Sequence, residues 1–261
     1  MKRTPQPTDC IRDYMGQLME WTNSCGFEEI YNNTSGKRQA RTAKELNATI
    51  DGKDRLLFII VSNKGNVFGS YNSTKIQPDT GAVWDDPNHF VFTLQNQMNI
   101  RPRIYKRRVE GMWPTLCLWN DVNAENVVTI PGLCDVSNAL KPNFVYKNFG
   151  NIYQDDGDGF EVFCNGEIRL EKRSNGAFTS LNSLVVFQMK PFGNFLRVKA
   201  FNNANVNMGE VIKKMNQFGR CHVDSAGNSF VVKFENANDA ERCFKERENV
   251  MKDGLNVQIM K

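Results

Sequence analysis

The chain has 261 residues, 40% hydrophobic and 24% charged, with 33 Lys+Arg against 29 Asp+Glu and a net charge of +4. That length can bury one large core or two ordinary ones, and the composition is that of a soluble globular protein. No stretch approaches the roughly 18 to 20 apolar residues of a membrane span, and MKRTPQPTDC lacks the apolar centre of a secretory signal, so a cytosolic or nuclear setting is expected.

After a flexible N-terminus at residues 1–7, Thr8 or Asp9 can cap a helix in which Ile11, Tyr14, Met15, Leu18 and Trp21 share one face, and Gly26 stops it. A short strand at Phe27–Tyr31 enters the polar loop Asn32–Lys37, and a second helix is predicted over Thr42–Ile50. The stretch Leu56–Tyr71, LLFIIVSNKGNVFGSY, is the expected centre of the larger of two domains. Its first run is β-branched or aromatic at most positions, and Asn63-Lys64-Gly65-Asn66 supplies the residues that tolerate positive φ, so it reads as a buried β-hairpin. A strand with no polar member for five residues needs cover on both faces. His89–Leu94 alternates as a further strand, and short strands are predicted at Arg103–Val109, Leu116–Trp119, Val127–Ile130, Phe144–Tyr146, Gly159–Asn165, Glu167–Leu170 and Ser183–Lys190. Many short strands with Gly, Asn and Pro punctuation, and helices mainly at the start, predict an α+β fold built on a two-sheet antiparallel β-sandwich with flanking helices.

The order Trp21, then Phe27-Glu-Glu-Ile-Tyr31-NNTSG, LLFIIVSNKGNVFGSY, HFVFTL, DDGDGFEVF and LVVFQM resembles the TLDc family over about 8–190. The resemblance implies a sandwich flanked by helices, a link to oxidative-stress resistance and, for some members, binding to the vacuolar proton pump. It brings no accepted catalytic machinery. The chain departs from the family pattern at Trp84-Asp85-Asp86-Pro87-Asn88, where a Gly-rich acidic stretch is usual.

Residues 191–194 form a linker, and 195–261 have a β-α-β-β-α-β order. Leu196, Val198 and Ala200 alternate with Arg197 and Lys199 on a half-buried strand. Asn207 and Glu210 have capping-box spacing for a helix whose apolar stripe is Met208, Val211, Ile212, Met215 and Phe218, ended by Gly219. Cys221 and Val223 point inward on the next strand, the turn Asp224–Asn228 leads to SFVVKF, a helix opens at Asp239–Phe244, and Leu255, Val257 and Ile259 line a last strand. This stretch resembles an RNA recognition motif, a small ferredoxin-like domain. In that family single-stranded RNA stacks on aromatics at one position of the first strand and two of the third, which here hold Arg197, Ser229 and Val231. The face instead offers Arg197, Lys199, Arg220, His222, Lys233, Asn256 and Gln258, so binding is expected to be weak, salt-sensitive and led by the phosphate backbone. A protein-binding or purely structural domain that kept the fold is the alternative.

Residues 191–261 carry 11 Lys/Arg against 8 Asp/Glu, leaving 22 against 21 upstream, a mild excess that suits an anionic partner. The densest basic run is Arg101-Pro-Arg103-Ile-Tyr105-Lys106-Arg107-Arg108; on a strand Arg101, Arg103, Tyr105 and Arg107 share a face that suits a phosphate backbone, a nuclear-import signal or a charged strand edge. Asp155, Asp156 and Asp158 fail as a calcium loop, because the first and twelfth positions are Gln154 and Asn165, and read as an acidic turn between strands. The seven cysteines, Cys10, Cys25, Cys117, Cys134, Cys164, Cys221 and Cys243, are scattered without a C-x-x-C pair and are expected to be reduced and mostly buried. Sequons at Asn32, Asn47 and Asn72 carry no meaning without secretion. With two histidines, His89 at the core or rim and His222 on the surface, and no nucleophile, zinc or P-loop motif, no enzyme, metal or cofactor is expected. The leading expectation is a nucleic-acid-binding regulator, for RNA or single-stranded nucleic acid, with Arg103, Lys106, Arg107 and Arg108 assisting the C-terminal sheet. A stress-response or protein-interaction protein and a duplex-DNA transcription regulator are the alternatives.

Overall fold

The computed structural model describes residues 11–33, 42–108, 113–120, 124–138, 143–146, 149–155, 157, 159–163, 176–179, 181–191, 193, 195–200, 207–226, 229–251 and 255–259. Two units divide the chain, one comprising the chain up to Thr22 with Phe27–Met189, the other Asn23–Gly26 with Lys190–Lys261. The elements as far as the second boundary are α1 (Met15–Trp21), β1 (Ser24–Asn32), α2 (Ala43–Ile50), β2 (Leu56–Ser62), β3 (Val67–Asn72), a 3-10 turn at Pro78–Thr80, β4 (Ala82–Val83), β5 (Phe90–Gln95) and β6 (Arg103–Lys106). Next come β7 (Leu116–Leu118), β8 (Asn126–Ile130), β9 (Cys134–Ser137), β10 (Asn143–Tyr146), α3 (Phe149–Ile152), α4 (Gly159–Phe163), β11 (Gly176–Thr179) and β12 (Leu181–Pro191). Among the described residues they build two six-stranded sheets, ordered β1-β12-β2-β3-β5-β6 and β11-β10-β9-β8-β7-β4, and the neighbouring strands whose register is defined pair antiparallel.

Strand β2 sits inside the first sheet with every residue buried, as are those of β3. Its side chains alternate between two cores. Leu56, Phe58 and Ile60 join a cluster that takes Val127, Val128, Ile130 and Val136 from the second sheet. Leu57, Ile59 and Val61 join another with Ile11, Met15 and Leu18 and with Phe90, Phe92 and Leu94 of β5. The second sheet therefore covers one face and the N-terminal helical segment the other, and each fully buried side chain of this size contributes about 1.5–3 kcal/mol. The β2–β3 turn closes as its residue types demand: Gly65 has φ 86°, Gly65 N–H donates to Ser62 O (3.1 Å) and Asn66 N–H to Ser62 Oγ (3.0 Å).

The helix predicted over Thr42–Ile50 is α2, with Thr42 as its cap rather than its first residue, Thr42 Oγ1 accepting from Glu45 N–H at 3.2 Å. Several sequence-based expectations need correction. Gly26 does not stop α1: the helix ends at Trp21 with Thr22 as its cap, Asn23 takes φ 49°, and Gly26 lies inside β1. The caps Thr8 and Asp9 lie outside the described residues, as does the strand predicted at Glu167–Leu170. The predicted strand Gly159–Asn165 is instead helix α4 as far as Phe163. Packing overrides its β-prone composition: Phe163 lies 5.3 Å from Phe149 and 5.3 Å from Phe68, ring centre to ring centre, and Tyr105 stands edge-on to Phe149 at 5.1 Å. Asp155 accordingly leads into a helix rather than a strand, its Oδ1 accepting from the N–H groups of Gly157 (3.1 Å) and Gly159 (2.9 Å). Strands β4, β9 and β11 and helix α3 were not expected from the sequence.

Beyond β12 lie β13 (Phe195–Ala200), α5 (Met208–Met215), β14 (Cys221–Ala226), β15 (Ser229–Phe234), α6 (Ala237–Lys245), α7 (Arg247–Met251) and β16 (Leu255–Ile259). The four strands form an antiparallel sheet in the order β14-β15-β13-β16. The α5 capping box is present, Asn207 Oδ1 accepting from Glu210 N–H at 3.0 Å and Glu210 Oε2 from Asn207 N–H at 3.2 Å. Val211, Met215, Phe218, Ala240 and Cys243 pack with Leu196, Val198, Val223, Val232 and Phe234 in a separate core. Met208, expected in the α5 stripe, is exposed, and α6 begins at Ala237 behind an Asn236 cap, ahead of the predicted Asp239.

Gly69 marks the tightest approach in the first sheet, opposite Ile59 on β2 and Phe92 on β5. A Cβ there overlaps the Phe58 carbonyl and meets Phe92 Cζ at 3.0 Å. Gly69→Ala is expected to destabilise the chain by at least about 2 kcal/mol in urea unfolding; an unchanged midpoint would show that the strands part more easily than this packing requires.

Candidate functional site

The basic run occupies β6, at the edge of the first sheet. Its odd-numbered face is not a phosphate track. Tyr105 is 1% exposed in the core, and the Arg103 guanidinium lies 4.6 Å from its ring centre, at the core rim. Arg107 reaches past the strand end: Nη1 donates to Trp84 O at 3.0 Å and Nη2 to Trp113 O. Arg108 Nε donates to Gly150 O (2.8 Å) and Tyr153 O (3.2 Å), and its N–H to Ile152 O (2.8 Å). Arg101, Lys106 and Arg108 are solvent-exposed. The face predicted to carry Arg101, Arg103, Tyr105 and Arg107 outward is therefore the covered one from Arg103 onward, because the segment around α3 packs over it and Tyr105 fills the space beneath.

Two residues that sequence reasoning passed over lie beside this edge. Trp84 and Trp113 are 56% and 54% exposed, and their carbonyls meet at the one Arg107 guanidinium. β4 pairs with β7 through Ala82↔Cys117 and Val83↔Leu116, and Thr115 N–H donates to Val83 O at 2.7 Å, which brings the two indole-bearing segments together. The Trp84–Asn88 loop is pinned by Asp86, a buried carboxylate that accepts from Ser73 N–H (2.6 Å), Ser73 Oγ (2.5 Å) and Asn88 N–H (3.1 Å). The available signal was the loop's departure from the TLDc pattern.

On the C-terminal sheet, Arg220, His222 and Lys233 are exposed, and Asn256 is half-buried. Arg197 stands opposite Val231 and Gln258 in register, and Lys199 opposite Ser229 and Asn256. Of the stacking positions, Ser229 is buried and Val231 half-buried. Asp224 joins this face: its Oδ1 lies 3.0 Å from His222 Nε2, placing a carboxylate among the cations that the sequence reading did not include.

The titratable groups with strongly shifted behaviour are internal. His89 is 3% exposed, with Nε2 at 3.0 Å from Tyr153 Oη, and Tyr153 donates to Pro131 O at 3.0 Å; a proton on Nε2 satisfies both bonds. Burial, reinforced by the nearby Arg107 charge and opposed by the Tyr71 backbone, brings His89 down to about 3. Burial pushes the Tyr153 phenol and the Cys134 thiol up, and takes Cys243 to about 12. None of these is poised for acid–base or nucleophilic work at neutral pH. Among the described residues, no group of three or more His, Cys, Asp or Glu is placed to hold a metal ion, and no helix is long and apolar enough to cross a membrane. Asn47 and Asn72, at two of the sequons, are buried; Asn47 Nδ2 donates to Trp119 O (2.8 Å) and Asn72 Nδ2 to Thr115 Oγ1 (3.0 Å).

Residues 12–109 match the TLDc domain family. The matched segment contains α1, α2 and β1 to β6, which include every strand of the first sheet except β12, with the covered strand β2 among them, and β4 of the second sheet. No curated protein matches the chain.

A histidine held neutral in the fold but free to charge when unfolded makes stability pH-dependent. Its folded value of about 3 lies below the unfolded value of about 6.5, so its contribution is complete above 6.5 and is lost as pH falls. Between pH 6.5 and about 4, the wild type is expected to lose about 1.4 kcal/mol per pH unit more than His89→Gln, read from denaturant unfolding at successive pH values. Parallel pH profiles would contradict the buried neutral imidazole.

Proposed function

We propose that the chain is a non-enzymatic binding protein. Its N-terminal unit is a TLDc-type β-sandwich that engages a protein partner in a stress response, acting in the cytosol or nucleus. The observation that carries this reading is the TLDc match over residues 12–109, which falls on the sheet built around β2. The internal, neutral state of His89 and the raised thiols of Cys134 and Cys243 support a binding role rather than a catalytic one. An open depression lined by Lys44, Asn47, Ala48, Asp51, Pro78 and Asp79 sets both signs of charge around a mainly apolar surface, a combination suited to a protein contact.

A second reading concerns the C-terminal unit, which we take as a ferredoxin-like domain of the RNA recognition motif type. The order β16-β13-β15-β14, with helix α5 after the first strand and helices α6 and α7 after the third, supports it. Exposed Arg220, His222 and Lys233, with Arg197, Lys199, Asn256 and Gln258 in register beside them, favour weak contact with the backbone of RNA or single-stranded DNA. Asp224 and the missing aromatics favour little more than that.

Cross-linking of the full chain in extract, before and after nuclease treatment, tests the first reading. A defined protein complex that survives nuclease is expected; recovery of nucleic acid alone, RNA or duplex DNA, would overturn it. For the second reading, Arg220→Ala with Lys233→Ala is expected to flatten the salt dependence of oligonucleotide binding by about one to two counterions, seen by fluorescence anisotropy. An unchanged salt slope would remove that sheet as a contact surface.

A further inference from the structure

We propose that Trp84 and Trp113 form a site for single-stranded nucleic acid on the N-terminal unit, in which bases stack on the two indoles and phosphates meet the adjoining cations. This site is separate from the C-terminal sheet and does not depend on what that sheet binds.

The two indoles are more than half exposed, although indoles are usually covered in a folded chain. Their backbones are also tied together. One guanidinium, Arg107, donates to both tryptophan carbonyls, the β4–β7 pairing holds the segments side by side, and Asp86 fixes the loop that continues from Trp84. A pair of aromatic faces on a braced backbone loses little conformational freedom on binding. Charge complementarity selects the occupant. The run 101–108 contains five cations and no acid, and Lys106 and Arg108, one residue to either side of Arg107, are exposed. Aromatic faces beside such a run are the combination that binds single strands without sequence preference, because every base has a stacking face and every linkage a phosphate. Asp85, exposed next to Trp84, opposes phosphate at that position. The near balance of charge upstream of residue 191 makes the attraction local, so affinity falls with salt but less steeply than for an extended basic groove.

The test uses the full chain and fluorescent oligo(dT) and oligo(U) of about 10 nucleotides, with anisotropy and intrinsic tryptophan quenching read between about 50 and 200 mM salt. Binding with quenching is expected. Trp84→Ala and Trp113→Ala should each weaken binding about 5- to 100-fold, Trp84→Phe should recover most of it, and Lys106→Ala should reduce the salt slope by about one. Trp119→Ala, at an exposed indole elsewhere, should leave affinity unchanged. Matching thermal transitions establish that the variants fold. Absence of binding at the lower salt, wild-type affinity in both tryptophan-to-alanine variants, or displacement of the oligonucleotide by an equal concentration of polyglutamate would overturn the proposal, the last by showing a general anion or acidic-peptide surface.

Discussion

The demand for cover on both faces of β2 dominates the N-terminal unit. Seven consecutive buried residues cannot belong to a sheet with one wet side, so apolar layers must lie above and below. One layer comes from the second sheet through Val127, Val128, Ile130 and Val136, the other from Ile11, Met15 and Leu18 in the N-terminal helical segment. β12 answers the same demand alongside, with Leu184 and Val186 in the first core and Val185 and Phe187 in the second. The consequence reaches Gly69, where the approach of β2 and β5 to the glycine between them leaves no room for a side chain.

Interiors of this kind leave the chemistry to edges and loops. At the edge strand β6, Arg103 leans on Tyr105, and Arg107 and Arg108 hold carbonyls of three neighbouring segments. Those arginines are therefore structural clasps as well as charges. By uniting the Trp84 and Trp113 segments, Arg107 links the stability of the edge to the presentation of its exposed indoles.

Local pattern made much of this legible. The apolar run and the Asn-Lys-Gly-Asn turn announce β2 and β3, and Asn207 with Glu210 announces α5, because each signal is read within a few residues. What was not legible depends on partners distant in the chain. Residues 159–163 have strand-like composition, yet rings from Phe68, Tyr105 and Phe149 gather Phe163 into a helix. Tyr105 read as one aromatic in a basic stripe until Phe149 was seen against it. Trp84 and Trp113 are far apart in sequence, and the β4–β7 ladder, the Thr115–Val83 hydrogen bond and Arg107 bring their segments together. The TLDc likeness was legible in the hairpin, and the match extends over residues 12–109, short of the 8–190 expected from motif order.

If double-sided burial of β2 holds the N-terminal unit together, its amides have no route to solvent short of unfolding that whole unit. Native-state hydrogen exchange in low denaturant tests this most directly. The amides of Leu57–Val61 are expected to exchange with the free energy and denaturant dependence of global unfolding of the unit, while those of the edge strand β6 open at lower cost. Exchange of the β2 amides through small, denaturant-independent fluctuations would contradict it.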